Sequence, residues 1–504
     1  MKGFGPLPPK RHALPLLILV TSLIRLVFAA SHGLGVDESY MVAAGRMLSV
    51  GYFDHPPAAW YLSWGAAHLF GTEAPVAVRL PFIALFALST WLMARLTAEL
   101  ADERAGFWAA VALNLSPVFG VTTGTWVLPD GPLDCALLGA ALCMARALPL
   151  DGRAALHWWL GAGVCAGLAL CAKYSAVLTL GGAFLYLLTS PRHRVWLRRP
   201  EPYLAVLTAL LVFAPIVAWN ATHGWASFAF QGERAMGLRF RPLAPFATLG
   251  GEALFVLPWI WLPMMLLAVR SVMRGPSEWR GWLQVCLAAP PIIVFALVAA
   301  WSSQRVLFHW AAPGYLMLFP LLGQAIAEHL DRAWVRRTIT GTAALVLAAL
   351  AVVGAQTCFD VLGGSLTAIA RKDPTSEGVN WTSIRTDLSS RGLLGPGTIV
   401  GVPNWRDGGK IAVALGPDVT VICLNGDARQ FGVSWPAAAF AGRDVLLLIP
   451  ETAAGSRATL APLFERVEAL PDTTIRHPSS PAGREFGRIA VLRGTRLLAW
   501  PPPS

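Results

Sequence analysis

Apolar residues in this chain gather in runs of about 20, separated by short gaps rich in Arg, and the runs cease near residue 357. At about 1.5 Å per residue, a run of that length crosses about 30 Å of hydrocarbon. Eleven runs predict spanning helices, at about 12–30, 77–98, 105–122, 131–149, 155–172, 174–189, 203–220, 246–269, 282–301, 308–328 and 338–357. Only Lys173 parts the fifth run from the sixth, so these read as a tight hairpin or an interrupted pair. The stretch 57–70 is too short to span, and 37–70 reads as one or two amphipathic helices lying on the outer surface. After 357 the pattern changes to short β-like runs at 397–402, 419–424, 444–449 and 489–493, set among turns and helical stretches. Strands alternating with helices favour a small mixed or parallel sheet. The expected fold class is therefore a polytopic α-helical membrane protein of about 11 transmembrane helices with a C-terminal soluble α/β domain. Residues 1–357 form the membrane domain, with an outer amphipathic loop over 31–76, and 358–504 form the α/β domain.

Composition narrows the class. Of 504 residues, 55% are hydrophobic and 14% charged; soluble domains carry roughly 25% charged residues. That excludes a soluble multidomain enzyme, a disordered chain and a collagen-like repeat. The net charge of +11 suggests nucleic acid, but the cations sit in the gaps between apolar runs and no basic stretch interleaves with stacking aromatics. With Lys2, Lys10 and Arg11 in the cytoplasm, the inner segments hold Arg95 and Arg104, Arg146 and Arg153, Arg192 to Arg199, Arg270 to Arg280, and Arg332 to Arg337. This is the bias that orients membrane helices. An odd number of spans leaves the C-terminal segment outside. Val27-Phe28-Ala29 resembles a signal cleavage site, but Arg25 interrupts the apolar region, and retention of the first helix is expected. Five of the seven cysteines fall inside apolar runs; Cys358 and Cys423 lie outside them, so one disulfide between these two is open. No Cys spacing suits a metal.

The outer loops carry most of the candidate chemistry. The first holds Asp37-Glu38, then Tyr52-Phe53-Asp54-His55-Pro56-Pro57. Acids at a helix start complement its dipole, but a second acid–histidine–proline cluster so close by also suits a site where a carboxylate takes a proton from a hydroxyl nucleophile. Asp130, in Pro129-Asp130-Gly131-Pro132-Leu133, is either a helix cap or a functional acid. Asp134 lies one turn deeper in an apolar run, where a carboxylate usually faces a cavity or a partner. Cations that would complement these acids are Lys173, beside Tyr174, then Arg234, Arg239, Arg241 and Arg305. Such groups hold a phosphate or simply meet headgroups and neighbouring carboxylates. His309 is either structural or functional.

These residues, in this order, resemble the dolichyl-phosphate-mannose–protein mannosyltransferase family (glycosyltransferase family 39), which includes bacterial aminoarabinose transferase. The resemblance covers most of 12–330. It rests on Asp37-Glu38, on the cluster from Tyr52 to Pro57, on Pro129 to Leu133, and on Lys173-Tyr174. Ala214-Pro215, Trp219-Asn220, His223-Gly224-Trp225, Ser227-Phe228 and His309-Trp310-Ala311-Ala312-Pro313 are also similar to bacterial members. It implies a GT-C fold in a bacterial inner membrane, with the active site and C-terminal domain facing the periplasm. It implies a sugar donor carried on a polyprenyl phosphate and an acceptor hydroxyl or phosphate on a lipid, glycan or protein.

By the same resemblance, Asp37 is the general base, Glu38 its support and Asp130 the second acidic point. His55, Lys173, Arg305 and Arg234 are donor-phosphate candidates, and Tyr52, Asp54, Asp134, Tyr174 and His309 are substrate-binding candidates. Where aminoarabinose transferase has a Lys before the loop proline, this chain has His55, which makes phosphate binding depend on protonation of His55, or on Lys173 and Arg305. No nucleotide site is required, and a divalent metal ion is left open: some GT-C enzymes use one, and Asp37 and Asp130 are the residues that would hold it. The rival reading is a polytopic transporter or lipid flippase, but those commonly show paired halves, and neither half of this chain repeats the other. A membrane scaffold would leave Asp37, Asp54 and Asp130 without a role.

Overall fold

A computed structural model describes residues 11–235, 240–302, 306–362, 375–476 and 485–498. The helices in chain order are α1 (Ala13–Ser31), α2 (Val36–Ala44), α3 (Ala58–Phe70), α4 (Pro75–Leu100), α5 (Glu103–Leu115), α6 (Asp130–Ala147), α7 (Gly152–Ala172) and α8 (Ala176–Thr189). They continue with α9 (Glu201–Thr222), α10 (Ala226–Ala235), α11 (Ala244–Val256), α12 (Pro258–Arg274), α13 (Trp279–Ala299), α14 (Ala312–Leu316), α15 (Phe319–Glu328) and α16 (Ala333–Phe359). The chain divides into two compact units. One comprises the described residues of Met1–Arg25, His55–Ala58 and Phe82–Leu347, and the other those of Leu26–Asp54, Ala59–Pro81 and Ala348–Ser504.

Every apolar run read from the sequence is helical, but not every run is one long helix. Among the described residues, six helices are long and apolar enough to cross a membrane: α1, α4, α7, α9, α13 and α16. A seventh span results if α11 and α12, bent by 115°, count as one. The run at 246–269 breaks at Leu257, whose φ of +83° precedes Pro258. The runs at 105–122 and 308–328 break at Ser116 and Met317, and α8 has only 14 residues. Among the described residues, the breaks at Leu257-Pro258, Ser116 and Met317 divide three of the expected runs into shorter helices.

In the first unit Phe86, Phe119, Leu137, Met264, Tyr315 and Phe319 belong to one continuous apolar core. Arg25, the charge that interrupts α1, is buried there: Nε donates to the Gly120 carbonyl at 2.8 Å and Nη2 to Asn114 Oδ1 at 2.9 Å, with the guanidinium over the Phe86 ring. A buried charge is tolerated only with its hydrogen bonds made.

The second unit contains a five-stranded mixed sheet of β1 (Ile399–Val402), β2 (Thr420–Cys423), β3 (Val445–Pro450), β4 (Phe464–Arg476) and β5 (Glu485–Leu497), in the order β2-β1-β3-β5-β4. β1 runs parallel to β2 and β3, while β3, β5 and β4 are antiparallel neighbours. The expected runs fall on β1, β2, β3 and the middle of β5. Cys358 and Cys423 are both free thiols and form no disulfide. Cys358 Sγ hydrogen-bonds to the Ser31 carbonyl at the end of α16, whereas Cys423 is buried at the end of β2.

Candidate active site

In the first unit, the acidic and cationic candidates meet at two helix breaks. A π-helical turn, Val118–Thr123, leads to Pro129, and α6 then opens on Asp130. Gly131 is required at this entry, since a Cβ there would come within 2.8 Å of the Thr123 carbonyl oxygen. Lys173 occupies the break between α7 and α8, in an extended conformation (φ −155°, ψ 133°) that ends α7. Its ammonium donates to Asp130 Oδ1 at 2.9 Å, and both residues are buried. His55 and His309 lie close enough to act on Asp130 electrostatically. Asp134 is buried one turn deeper, beside Thr123 and Asp130.

Tyr174 follows Lys173 and shares a 2.8 Å hydrogen bond with Ser227, while the Asn220 amide reaches the same phenol oxygen at 3.5 Å. Its ring lies edge-on to Phe228, with centroids 4.9 Å apart. Trp219-Asn220 and Ser227-Phe228, separate motifs in the sequence, thus converge on the residue beside Lys173. Arg305 lies outside the described residues, as does the Arg234 side chain.

In the second unit, α2 carries Asp37 exposed and Glu38 buried. Arg79 on α4 grips Glu38 with two bonds, Nε to Oε1 at 2.8 Å and Nη2 to Oε2 at 2.6 Å. Its remaining N–H groups donate to the carbonyls of Ala29, His32 and Gly33 at 2.9, 3.1 and 2.8 Å. Glu38 also accepts the Gly35 amide at 2.8 Å, satisfying a free donor at the helix start. This fork and cap fix the direction in which α2 leaves the end of α1, and with it the position of Asp37. The two adjacent acids therefore differ: Glu38 is committed to the fold, and Asp37 is presented.

α2 is buried from Glu38 to Ala44 rather than lying half-exposed as an amphipathic surface helix. It packs against the helix Trp405–Leu415, where a Cβ on Gly409 would meet the Tyr40 amide nitrogen at 2.5 Å. The Tyr40 hydroxyl donates to Asp54 Oδ1 at 3.1 Å and accepts from the Gln430 backbone N–H at 3.0 Å. Asp54 also pairs with Arg429 at 3.3 Å, and the Arg429 guanidinium stacks 3.6 Å from the centre of the Trp405 ring. Burial raises the Asp54 carboxyl above its ordinary range, Arg429 and the Tyr40 hydroxyl pull it back, and Asp37 is near enough to push it up further. Tyr52 is fully buried, stacked on Trp60 at 4.2 Å with nearly parallel rings.

Lys410, from the same helix as Gly409, donates to the carbonyls of Leu34, Glu377 and Val379 at 2.7, 2.9 and 2.8 Å. Three carbonyl acceptors match the three donors of an ammonium. Burial nonetheless brings Lys410 down to about 7.

Sequence reasoning passed over Arg79, Lys410 and Arg429, and also Glu252, which accepts the buried Tyr315 hydroxyl at 2.6 Å. Arg79 and Glu252 carried a signal, as lone charges in apolar runs. Lys410 and Arg429 carried none, since their partners are remote in the chain. Among the described residues no group of three or more His, Cys, Asp or Glu side chains is placed to hold a metal ion. Asp130 falls in the first unit and Asp37 in the second.

The comparisons with known proteins agree with the resemblance read from the sequence. Residues 54–219 match the family model described as dolichyl-phosphate-mannose-protein mannosyltransferase. The chain is 25% identical over 295 residues to the lipid A galacturonosyltransferase RgtD of Rhizobium johnstonii, a match covering 56% of this chain and 58% of that protein. It therefore spans less than two thirds of the curated relative's length. The fold is that of ArnT from Cupriavidus metallidurans, at 15% identity with a TM-score of 0.65 in the apo state. Against the same protein bound to undecaprenyl phosphate the TM-score is 0.67, at 16% identity, covering 95% of this chain and 97% of that one.

Proposed function

From this likeness we propose that the chain is a membrane glycosyltransferase of the GT-C type. It moves a sugar from a polyprenyl-phosphate donor to a hydroxyl or phosphate acceptor on a lipid, glycan or protein, at the outer face of a bacterial inner membrane. Residues 1–357 then form the catalytic membrane domain and 358–504 a periplasmic α/β domain. The observation that carries the reading is that the family match over 54–219 contains both members of the buried Lys173–Asp130 pair. The relative being a lipid A galacturonosyltransferase, and ArnT having been solved with undecaprenyl phosphate, support a lipid-linked donor and a lipid acceptor.

In the proposed reaction, the acceptor hydroxyl gives its proton to the Asp37 carboxylate as its oxygen attacks the anomeric carbon. The bond from that carbon to the phosphate oxygen breaks, and a single displacement inverts the centre. The transition state is oxocarbenium-like, as in other glycosyl transfers. The leaving group departs as a charged polyprenyl phosphate, so it needs a cation more than a general acid. Lys173 supplies one, with Asp130 holding the ammonium in place and His55 and His309 nearby. Tyr174, fixed by Ser227 and Asn220, lines the sugar side.

Mass spectrometry of membrane lipids and outer glycans, with and without the gene, tests this reading. A species lighter by one sugar in the deletion strain is expected. An unchanged glycan profile, with purified protein moving lipid across vesicles and forming no glycosylated product, overturns it in favour of a transporter.

A further inference from the structure

The membrane-helix unit holds a cavity of about 440 Å³ lined by none of the candidate active-site residues. Its walls are apolar and come from four helices: Ala112 and Leu115 on α5, Leu266 on α12, Leu322 on α15 and Ile339 on α16. At one end the Trp259 indole donates to Thr342 Oγ1 at 2.8 Å, tying α12 to α16. Towards the other end, about 16 Å along α12 at 1.5 Å per residue, the lining turns cationic with Arg270 and Arg332, beside His329 and Trp334. An apolar slot ending in cations and an interfacial tryptophan has the polarity of a lipid with an anionic head.

We propose that this cavity binds one anionic phospholipid, with an acyl chain in the slot and its phosphate against Arg270 and Arg332. The volume holds about fifteen water-sized groups at about 30 Å³ each, which suits one acyl chain. Leu262, Leu266 and Trp334 are exposed and leave the slot open sideways, so a chain can enter from the bilayer. None of the ion pairs among the described residues involves Arg270 or Arg332. The acids of the same stretch are Glu328, which accepts from Gln324 at 2.9 Å, and Asp331. By the charge bias of the loops this end faces the cytoplasm, the opposite side from the proposed chemistry. The bound lipid would brace α12, the second half of the bent pair, against α15 and α16. The proposal does not depend on the transferase reading.

The test uses the full-length protein in detergent, titrated with phosphatidylglycerol or zwitterionic phosphatidylethanolamine and read by native mass spectrometry. Phosphatidylglycerol is expected to stay bound preferentially. The Arg270→Gln/Arg332→Gln double variant should weaken it by about tenfold or more, from about 1 kcal/mol per cation near an anionic lipid. Ala112→Trp, which fills the slot, should weaken it as much. The arginine variant changes only exposed side chains, so it decides the matter even if Ala112→Trp does not fold. Equal retention of both lipids, or phosphatidylglycerol binding untouched by the arginine variant, overturns the proposal. Displacement by inorganic phosphate shows that the chain contributes nothing, and displacement by a polyprenyl phosphate at equal concentration shows that the phospholipid is the wrong occupant; either result also overturns it.

Discussion

Arg79 on α4 holds Glu38 on α2 through two bonds of 2.8 and 2.6 Å, with the arginine fully buried. The pair joins the end of α1, the start of α2 and α4, and it sets where Asp37 stands. Arg79→Met leaves a buried carboxylate without its cation, a loss of about 3–5 kcal/mol. Arg79→Met/Glu38→Gln should recover part of that loss. Thermal unfolding in detergent measures both, and a wild-type melting temperature for Arg79→Met would remove the pair as an organising contact.

Lys173 and Asp130 form the corresponding pair in the membrane-helix unit. Lys173→Met should destabilise by a similar 3–5 kcal/mol, and Lys173→Met/Asp130→Asn by less. Transfer activity should remain low in the double variant, because the cation proposed to meet the donor phosphate is still missing. Comparing melting temperature with turnover in the two variants separates the structural part from the catalytic part.

At Gly409 the helix Trp405–Leu415 lies against the backbone of α2. A Cβ there would stand 2.5 Å from the Tyr40 amide nitrogen, and backbone cannot yield as a flexible side chain does. Gly409→Ala should cost about 1–3 kcal/mol through overpacking. Gly416→Ala is not an equivalent control, because Gly416 has a φ of +86°. Gly455→Ala is suitable, since a Cβ there meets nothing within 4 Å.

Lys410 gives a pH dependence of defined sign. Its folded pKa lies near 7, below the ordinary 10.5, because burial disfavours the charged form. Between those values the unfolded chain binds more protons than the folded one. Stability from this group is therefore fully present above 10.5 and declines as pH falls towards 7. Melting temperatures over that range should rise with pH more steeply in the wild type than in Lys410→Met. Parallel slopes would contradict the assignment.

Much of this was legible in the chain, and the gaps have physical causes. The apolar runs marked the helices because burial in hydrocarbon leaves no other option for the backbone. They did not mark full spans, since Leu257-Pro258 and Ser116-Pro117 break helices that stay apolar on both sides. β4 was missed because most of its residues are solvent-facing and Pro471 falls at a register shift against β5. Lys173 stood out as the single polar residue between two runs, and its pairing with Asp130 gives it a partner. Tyr52 is stacked on Trp60 inside the fold, and Glu38 is locked by Arg79 at the start of α2, beside Asp37. Nothing local distinguishes a carboxylate that holds a helix from one that is presented beside it.

Turnover by Asp37→Asn is the most direct test of the central claim. The variant keeps the size of the side chain, and Asp37 is exposed, so insertion and melting temperature should match the wild type. In proteoliposomes with a polyprenyl-phosphate-linked sugar and a lipid acceptor, glycosylated product should fall by at least about 10²–10⁴-fold, the range for loss of a general base. Product formed at the wild-type rate would contradict the assignment of Asp37 as the group that takes the acceptor's proton.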